Sequence, residues 1–340
     1  MKGVKPDADM AAPEAAGKRE PIAALIVAGP TCSGKSALAL ALARRLGGCV
    51  INADSMQIYA ELRILTARPS PAEEAAVPHV LYGVRPAARP GSAAWWCGEA
   101  EQAIGAARAA GRLAILCGGT GLYFQALREG LAEVPDPGEA ARAQARALLG
   151  ELGAAGLHRR LAEVDPLTAA ALRPADSQRV ARAWEVWAGT GRGLADWRAA
   201  AAPAHPPRFA AILLDPDRAT LRAAIGARTQ AMLDAGAIDE ARALLALGLD
   251  PALPAMRAHG VPELGGFLSG RLSLGEARTR IELVTGQYTK RQATWFRHHR
   301  LAAEQDSHTI NARFADMQQL SNQETDELDH FIMKLVDAGG

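Results

Sequence analysis

Ile22-Ala-Ala-Leu-Ile-Val-Ala-Gly29-Pro-Thr-Cys-Ser-Gly34-Lys35-Ser36 decides the fold. The apolar run to Ala28 has the length and composition of a buried parallel strand. The turn after it fits G-x-x-x-x-G-K-[ST], and Ala- and Leu-rich residues 37–46 behind it predict a helix. Glycines in such a turn let successive backbone N–H groups face one anion, and the positive end of the new helix adds to the field. Gly29, Thr31, Cys32, Ser33, Gly34, Lys35 and Ser36 are therefore candidates to seat a diphosphate or triphosphate. Lys35 would bridge terminal oxygens, and the Ser36 hydroxyl would ligate Mg²⁺.

Outward from that turn, the pattern predicts an α/β fold of the P-loop NTPase kind, a parallel sheet flanked by helices. Cys49-Val-Ile-Asn-Ala53 reads as a second strand and places Asp54-Ser-Met-Gln-Ile-Tyr59 at its carboxyl end, where open α/β sheets hold ligands. Residues 60–94 carry five prolines and read as irregular, with His79 an ordinary loop histidine. A helix over about 92–110 follows, then a third strand from Arg112 to Cys117 that opens into Gly118-Gly-Thr-Gly121-Leu-Tyr123. P-loop ATPases commonly end a neighbouring strand in an acid that supports Mg²⁺ and an attacking water. This strand ends in Cys-Gly-Gly-Thr, which leaves Asp54 as the strand-end carboxylate, although an Asp there also suits a helix cap.

Composition sets the remaining bounds. The 340 residues carry a net charge of +1, so no global field advertises nucleic acid and any RNA binding must be local. Cys32, Cys49, Cys97 and Cys117 lack C-x-x-C or zinc spacing, and free thiols in a reducing cytoplasm are expected. No apolar run approaches membrane-spanning length. The domain reading is a mobile leader over 1–20, a discontinuous α/β core over 21–135 and 207–305, an all-helical insertion over 136–206, and a polar tail over 306–340. Within the insertion, Arg179 and Arg182 share a helix face that is either solvated or ligand-facing, and Arg182 has Glu185 within pairing reach. Arg222 and Arg228 lie on a predicted helix positioned to close over phosphate. From Arg278 to Arg300 there are six Lys or Arg against one acid, with Tyr, Trp and Phe interleaved. That suits a polyanion with bases to stack upon, and equally a basic helix with a buried aromatic face.

GPTCSGKS, DSMQIY, GGTGLY, RPADSQRVARAWEV and KRQATWFR, in that order over residues 22–300, together resemble the tRNA dimethylallyltransferase (tRNA isopentenyltransferase) family. The resemblance implies transfer of a five-carbon dimethylallyl group from dimethylallyl diphosphate to N6 of the adenosine 3′ of the anticodon in tRNAs reading U-initial codons. The phosphate loop would then hold the donor's diphosphate, with Mg²⁺ as cofactor. Lys35, Asp54 as proton acceptor and Thr120 would carry the chemistry. Asp54, Ser55, Met56, Gln57 and Thr120 would meet the target nucleotide. Gln178, Arg179, Val180, Ala181 and Arg182 would grip the anticodon stem-loop, joined by Arg142, Arg257, Gly260, Lys290, Arg291 and Gln292. A monomer without membrane attachment is implied.

The chain departs from the family pattern at several places. It has Ala60-Glu-Leu-Arg-Ile-Leu-Thr-Ala-Arg-Pro69 where a glycine-bearing stretch is usual, His259-Gly-Val-Pro-Glu263 for IGYKE, Gly286 for an arginine, and Ala224 where the lid helix often has one. Three other readings stay open at this point: a P-loop small-molecule kinase, an isopentenyltransferase acting on free adenine nucleotides, and an inactive tRNA-binding homologue.

Overall fold

A computed structural model describes residues 20–132, 134–200, 207–317 and 321–337. The expected leader, apart from Glu20, lies outside the described residues, as do 201–206 at the end of the insertion. Six parallel strands form one sheet: β1 (Ala24–Ala28), β2 (Cys49–Asn52), β3 (His79–Val80), β4 (Ala114–Gly118), β5 (Phe209–Leu214) and β6 (Ser307–Ile310), in the order β3-β2-β4-β1-β5-β6. The helices are α1 (Lys35–Leu46), α2 (Pro71–Ala76), α3 (Ala93–Ala109), α4 (Gly121–Glu129), α5 (Gly138–Val164), α6 (Pro166–Ala170), α7 (Ser177–Thr190) and α8 (Leu194–Ala199). They continue with α9 (Arg218–Asp234), α10 (Ala237–Ala246), α11 (Val261–Leu268), α12 (Leu274–His298) and α13 (Asn322–Asp337).

β1 is central and buried on both faces. Ala24, Ile26 and Ala28 pack with Trp96, Phe124 and Phe296 on one side, and Leu25 and Val27 pack with Leu38, Ile115 and Phe314 on the other. This period-2 division of an uninterrupted apolar run is what a parallel strand between two helical layers requires. A third apolar cluster joins the segment 58–65 to α10, α11 and the first half of α12. Helices α5 to α8 surround a separate cluster that includes Leu157, Leu161, Val180 and Trp184, and α5 is broken at Gly153, where φ is 65°.

Two sequence expectations are corrected here. The stretch 60–94 is not wholly irregular. Ser70 and Glu73 form a capping box that starts α2, and His79 belongs to edge strand β3. The polar tail is part of the core: β6 extends the sheet beside β5, Phe314 is 1% exposed, and Leu328, Phe331 and Ile332 of α13 are buried. The physical reason is that three apolar positions at helical spacing suffice to dock a helix whose other faces are acidic and polar. Average composition concealed them. Among the described residues no helix is long and apolar enough to cross a membrane, and the four thiols are free.

Candidate active site

The phosphate loop leaves β1 and turns into α1 with Gly34 at φ 93° and Cys32 at φ 69°. Gly34 is required twice over, because a Cβ there would stand 1.8 Å from the Phe314 carbonyl oxygen. The loop is braced from behind. The Phe314 N–H donates to the Ser33 carbonyl at 2.9 Å and Arg313 Nε donates to the Cys32 carbonyl at 3.2 Å. On the opposite flank the Thr31 N–H donates to Gln292 Oε1 at 2.8 Å. One group inside the loop, the Ser33 hydroxyl, is buried without a partner among the described residues. Lys35 is buried with no carboxylate paired to it among the described residues. A lysine without a paired carboxylate and a buried, unsatisfied hydroxyl beside the loop amides fit an anion.

Asp54 follows β2, two strands from β1, with the β4 turn between them. Buried Asn52 fixes its backbone: Asn52 Oδ1 accepts the Asp54 N–H at 2.8 Å, and Nδ2 donates to the carbonyls of Asp54 and Leu81, each at 3.0 Å. Trp96 Nε1 donates to the Asn52 carbonyl at 2.7 Å, and its ring stacks on Tyr123 at 4.4 Å. The Asp54 carboxylate spends Oδ1 on the Met56 N–H at 2.9 Å, and Oδ2 is unpaired among the described residues. Thr120 enters from β4. Its Oγ1 accepts the Ser55 N–H at 3.0 Å, and its own N–H reaches the Ala53 carbonyl at 3.2 Å. Gly118 permits this crossing, since a Cβ there would lie 2.0 Å from the Ala53 carbonyl oxygen.

A cavity of about 470 Å³ joins these parts. Thr31 and Cys32 of the loop, Asp54, Ser55 and Met56 after β2, Arg228 on α9, Arg257, and Arg291 on α12 all line it. Gln178, from the first turn of α7, reaches it from the helical insertion. Three arginines against one carboxylate make the wall electropositive, and Leu65, Ile225, Met232 and Ile281 give it an apolar side. Residues to which the sequence assigned no role complete it. Tyr288 packs edge-on to His259 at 5.2 Å and lies under the Arg291 guanidinium at 5.5 Å. Burial raises the Tyr288 phenol, with the Asp54 charge adding to it, so it stays protonated. Burial lowers His259, and Glu263 opposes that shift only in part. Tyr288 is the tyrosine of the basic segment from Arg278 to Arg300 and His259 opens a departure from the family pattern, whereas Asn52 carried no signal beyond its strand.

Other predicted residues land elsewhere. Thr31 lines the cavity, but its N–H is committed to Gln292 and cannot also face a phosphate. Gln292 is 4% exposed and bonded at both ends, so it is not on a tRNA-facing surface. Val180 and Ala181 belong to the apolar centre of the insertion. Gln57 Nε2 donates to the carbonyls of Thr66 and Ala67, pinning its own loop. Gly260, at φ 101°, caps α11 through Glu263. Arg142, Arg179 and Arg182 are paired with Asp136, Asp176 and Glu185 on the insertion and do not line the cavity. Arg222 and Lys290 face a separate groove between α9 and α12, which the glycine at 286 helps to open. The unusual 60–69 segment is a fixed turn: the Glu240 carboxylate accepts the N–H groups of Arg63, Ile64 and Leu65.

Among the described residues no three His, Cys, Asp or Glu side chains gather as a metal site. Exposed Ser36 at the head of α1 offers a single hydroxyl. That donor set fits a Mg²⁺ that arrives on phosphate oxygens and keeps much of its water, not one caged by protein.

The fold and the cavity define a phosphate-loop α/β protein that brings an anion-bearing molecule against a strand-end carboxylate, with a helical insertion at the mouth. Comparison with known proteins narrows this. A family model described as IPP transferase matches residues 57–299, and one described as isopentenyl transferase matches 22–82. The tRNA dimethylallyltransferase of Granulibacter bethesdensis is 60% identical over 315 residues, 91% of this chain and 97% of its own. That of Gluconobacter oxydans is 58% identical over 318 residues, covering 93% and 95%. The crystal structure of the full-length tRNA isopentenylpyrophosphate transferase from Bacillus halodurans superposes with a TM-score of 0.65 at 31% identity, covering 94% of this chain and 98% of that one. A eukaryotic dimethylallyltransferase acting on tRNA shares the fold, with a TM-score of 0.75 at 23% identity over 92% of this chain and 79% of its own. The chain belongs to the IPP transferase family.

Proposed function

We propose that the protein transfers a dimethylallyl group from dimethylallyl diphosphate to N6 of the adenosine 3′ of the anticodon in tRNAs reading U-initial codons, releasing diphosphate. The observation that carries this reading is one cavity walled by the phosphate loop, the Asp54 carboxylate and Gln178 of the insertion. Donor and nucleobase acceptor would meet there, the base having left its stack to enter. Attack of N6 on the allylic carbon breaks the carbon–oxygen bond, and the charge that develops on the departing diphosphate needs fixed positive groups. Loop amides, Lys35 and Arg228 supply them. The N6 proton passes to Asp54 Oδ2, and Thr120 holds the Asp54–Ser55 backbone at the meeting point. The apolar wall takes the prenyl chain, while Arg257, Arg291 and Gln178 take the RNA. Mg²⁺, when bound through Ser36 and phosphate oxygens, supplies further charge neutralisation of the leaving group. The protein would work in the cytoplasm as a monomer. An insertion that reaches the cavity favours a tRNA acceptor over a free nucleotide.

The test is transfer of label from dimethylallyl diphosphate, with Mg²⁺, to an unmodified A-rich anticodon stem-loop. Label on the stem-loop adenosine, lost when that base is replaced by guanosine, is expected. Label on AMP and not on the stem-loop, or no transfer to either, overturns the reading.

A further inference from the structure

Gln292 is the structure's direct tie between the donor seat and the neighbouring strand turn. Its Oε1 accepts the Thr31 N–H at 2.8 Å and its Nε2 donates to the Gly119 carbonyl at 2.9 Å, across 261 and 173 residues of sequence. The side chain is 4% exposed, and a Cβ on Gly119 would stand 2.2 Å from Nε2. A carboxamide is the side chain of this size that offers a donor and an acceptor together. The same helix presents Tyr288 and Arg291 to the cavity, four residues and one residue earlier. One rigid rod therefore carries both the cavity wall and the tie.

We propose that Gln292 is a positioning residue for the reaction: it holds the phosphate loop at a set distance from the Gly119-Thr120 turn and so acts on the donor's diphosphate, not on tRNA. The inference deepens the function proposed above and rests on it for its link to catalysis. Without the carboxamide, the Thr31 N–H and the Gly119 carbonyl lose their buried partners. The loop then relaxes toward whatever satisfies them, and the inward aim of the amides after Thr31 is lost.

The experiment uses the full chain and two readouts. Inorganic pyrophosphate with Mg²⁺, titrated by calorimetry, reports the seat without any prenyl transfer, and stem-loop binding reports the RNA side. Gln292→Leu and Gly119→Ala should each weaken pyrophosphate by about 10-fold or more and leave stem-loop affinity within about two-fold. Gln292→Glu separates positioning from packing. A protonated carboxyl there restores both bonds, while a carboxylate opposes the Gly119 carbonyl, and burial raises the pH at which the group ionises. Its pyrophosphate affinity, divided by that of the parent, should therefore climb as pH falls from 8 to 6. Lys35 and Cys32 on the loop, Cys117 before the turn, and Tyr288 and Arg291 on α12 are common to both proteins and cancel in the ratio. Unchanged pyrophosphate affinity in a folded Gln292→Leu protein, a flat ratio for Gln292→Glu, or a loss confined to stem-loop binding overturns the inference. If Gln292→Leu does not fold, the Gln292→Glu ratio decides. A parent that binds pyrophosphate but transfers nothing would refute the function and leave the seat measurement readable.

Discussion

Replacing Asp54 by asparagine separates chemistry from architecture at this site. In the parent, Oδ1 holds the Met56 N–H at 2.9 Å, and the backbone is anchored through Asn52 and not through the carboxylate. An amide oxygen makes the same local bond, so the turn should survive with a stability change of at most about 1 kcal/mol. What disappears is the proton acceptor at Oδ2. Loss of a positioned general base costs about 10²- to 10⁴-fold in rate, or about 2.7 to 5.4 kcal/mol of barrier. The cavity would also lose the one carboxylate that faces Arg228, Arg257 and Arg291, so RNA affinity should hold or rise. Single-turnover transfer to the stem-loop, run beside fluorescence anisotropy of the same stem-loop, measures both. Asp54→Ala should match Asp54→Asn in rate and fall below it in melting temperature, because it also drops the bond to Met56. A rate within about three-fold of the parent would refute the base assignment, being far less than such a loss costs. Parallel loss of rate and binding would make Asp54 a structural residue.

Asn52→Ala removes two bonds to the Asp54 backbone and one to the Leu81 carbonyl, so transfer should fall by about 10-fold or more, with stability lowered by about 1–3 kcal/mol on thermal melts. Phe314→Ala empties a fully buried site against the phosphate loop; a loss of about 3–5 kcal/mol is expected. Pyrophosphate affinity should fall with it while stem-loop binding in the folded fraction holds. His259 is half-buried and its proton affinity is depressed, so the unfolded chain binds the extra proton more readily. Its contribution to stability is therefore complete above the unfolded value of 6.5 and erodes as pH drops through and below it. Melting temperatures between pH 7.5 and 5 should show a decline that His259→Gln makes shallower; equal slopes would refute that assignment.

The strand–loop–helix start, Asp54 at a strand end and the all-helical insertion were legible because each rests on local chemistry: an apolar run, glycines at a tight turn, and a period of 3.6 without strand-like segments. Gln292 was not legible. KRQ among aromatics reads as an RNA-facing patch, yet helical periodicity turns Gln292 inward while Arg291 lines the cavity and Lys290 faces another groove. Val180 and Ala181 show the same limit. A motif names neighbours in sequence, and a helix distributes them over different faces. The 307–337 segment was hidden for a different reason: its few apolar residues acquire meaning only from partners on β5 and α1, which sequence spacing does not reveal.

Ser33 and Phe314 are 281 residues apart, yet the donor cradle needs both. During synthesis every residue assigned to the chemistry has emerged before the segment that braces the cradle, and that brace includes the sheet's last strand. A ribosome-bound or prematurely terminated product would thus carry the full set of reactive groups around an unbraced loop. Competence of the loop to hold its anion would arrive late in translation, after residues 313 and 314 have been added.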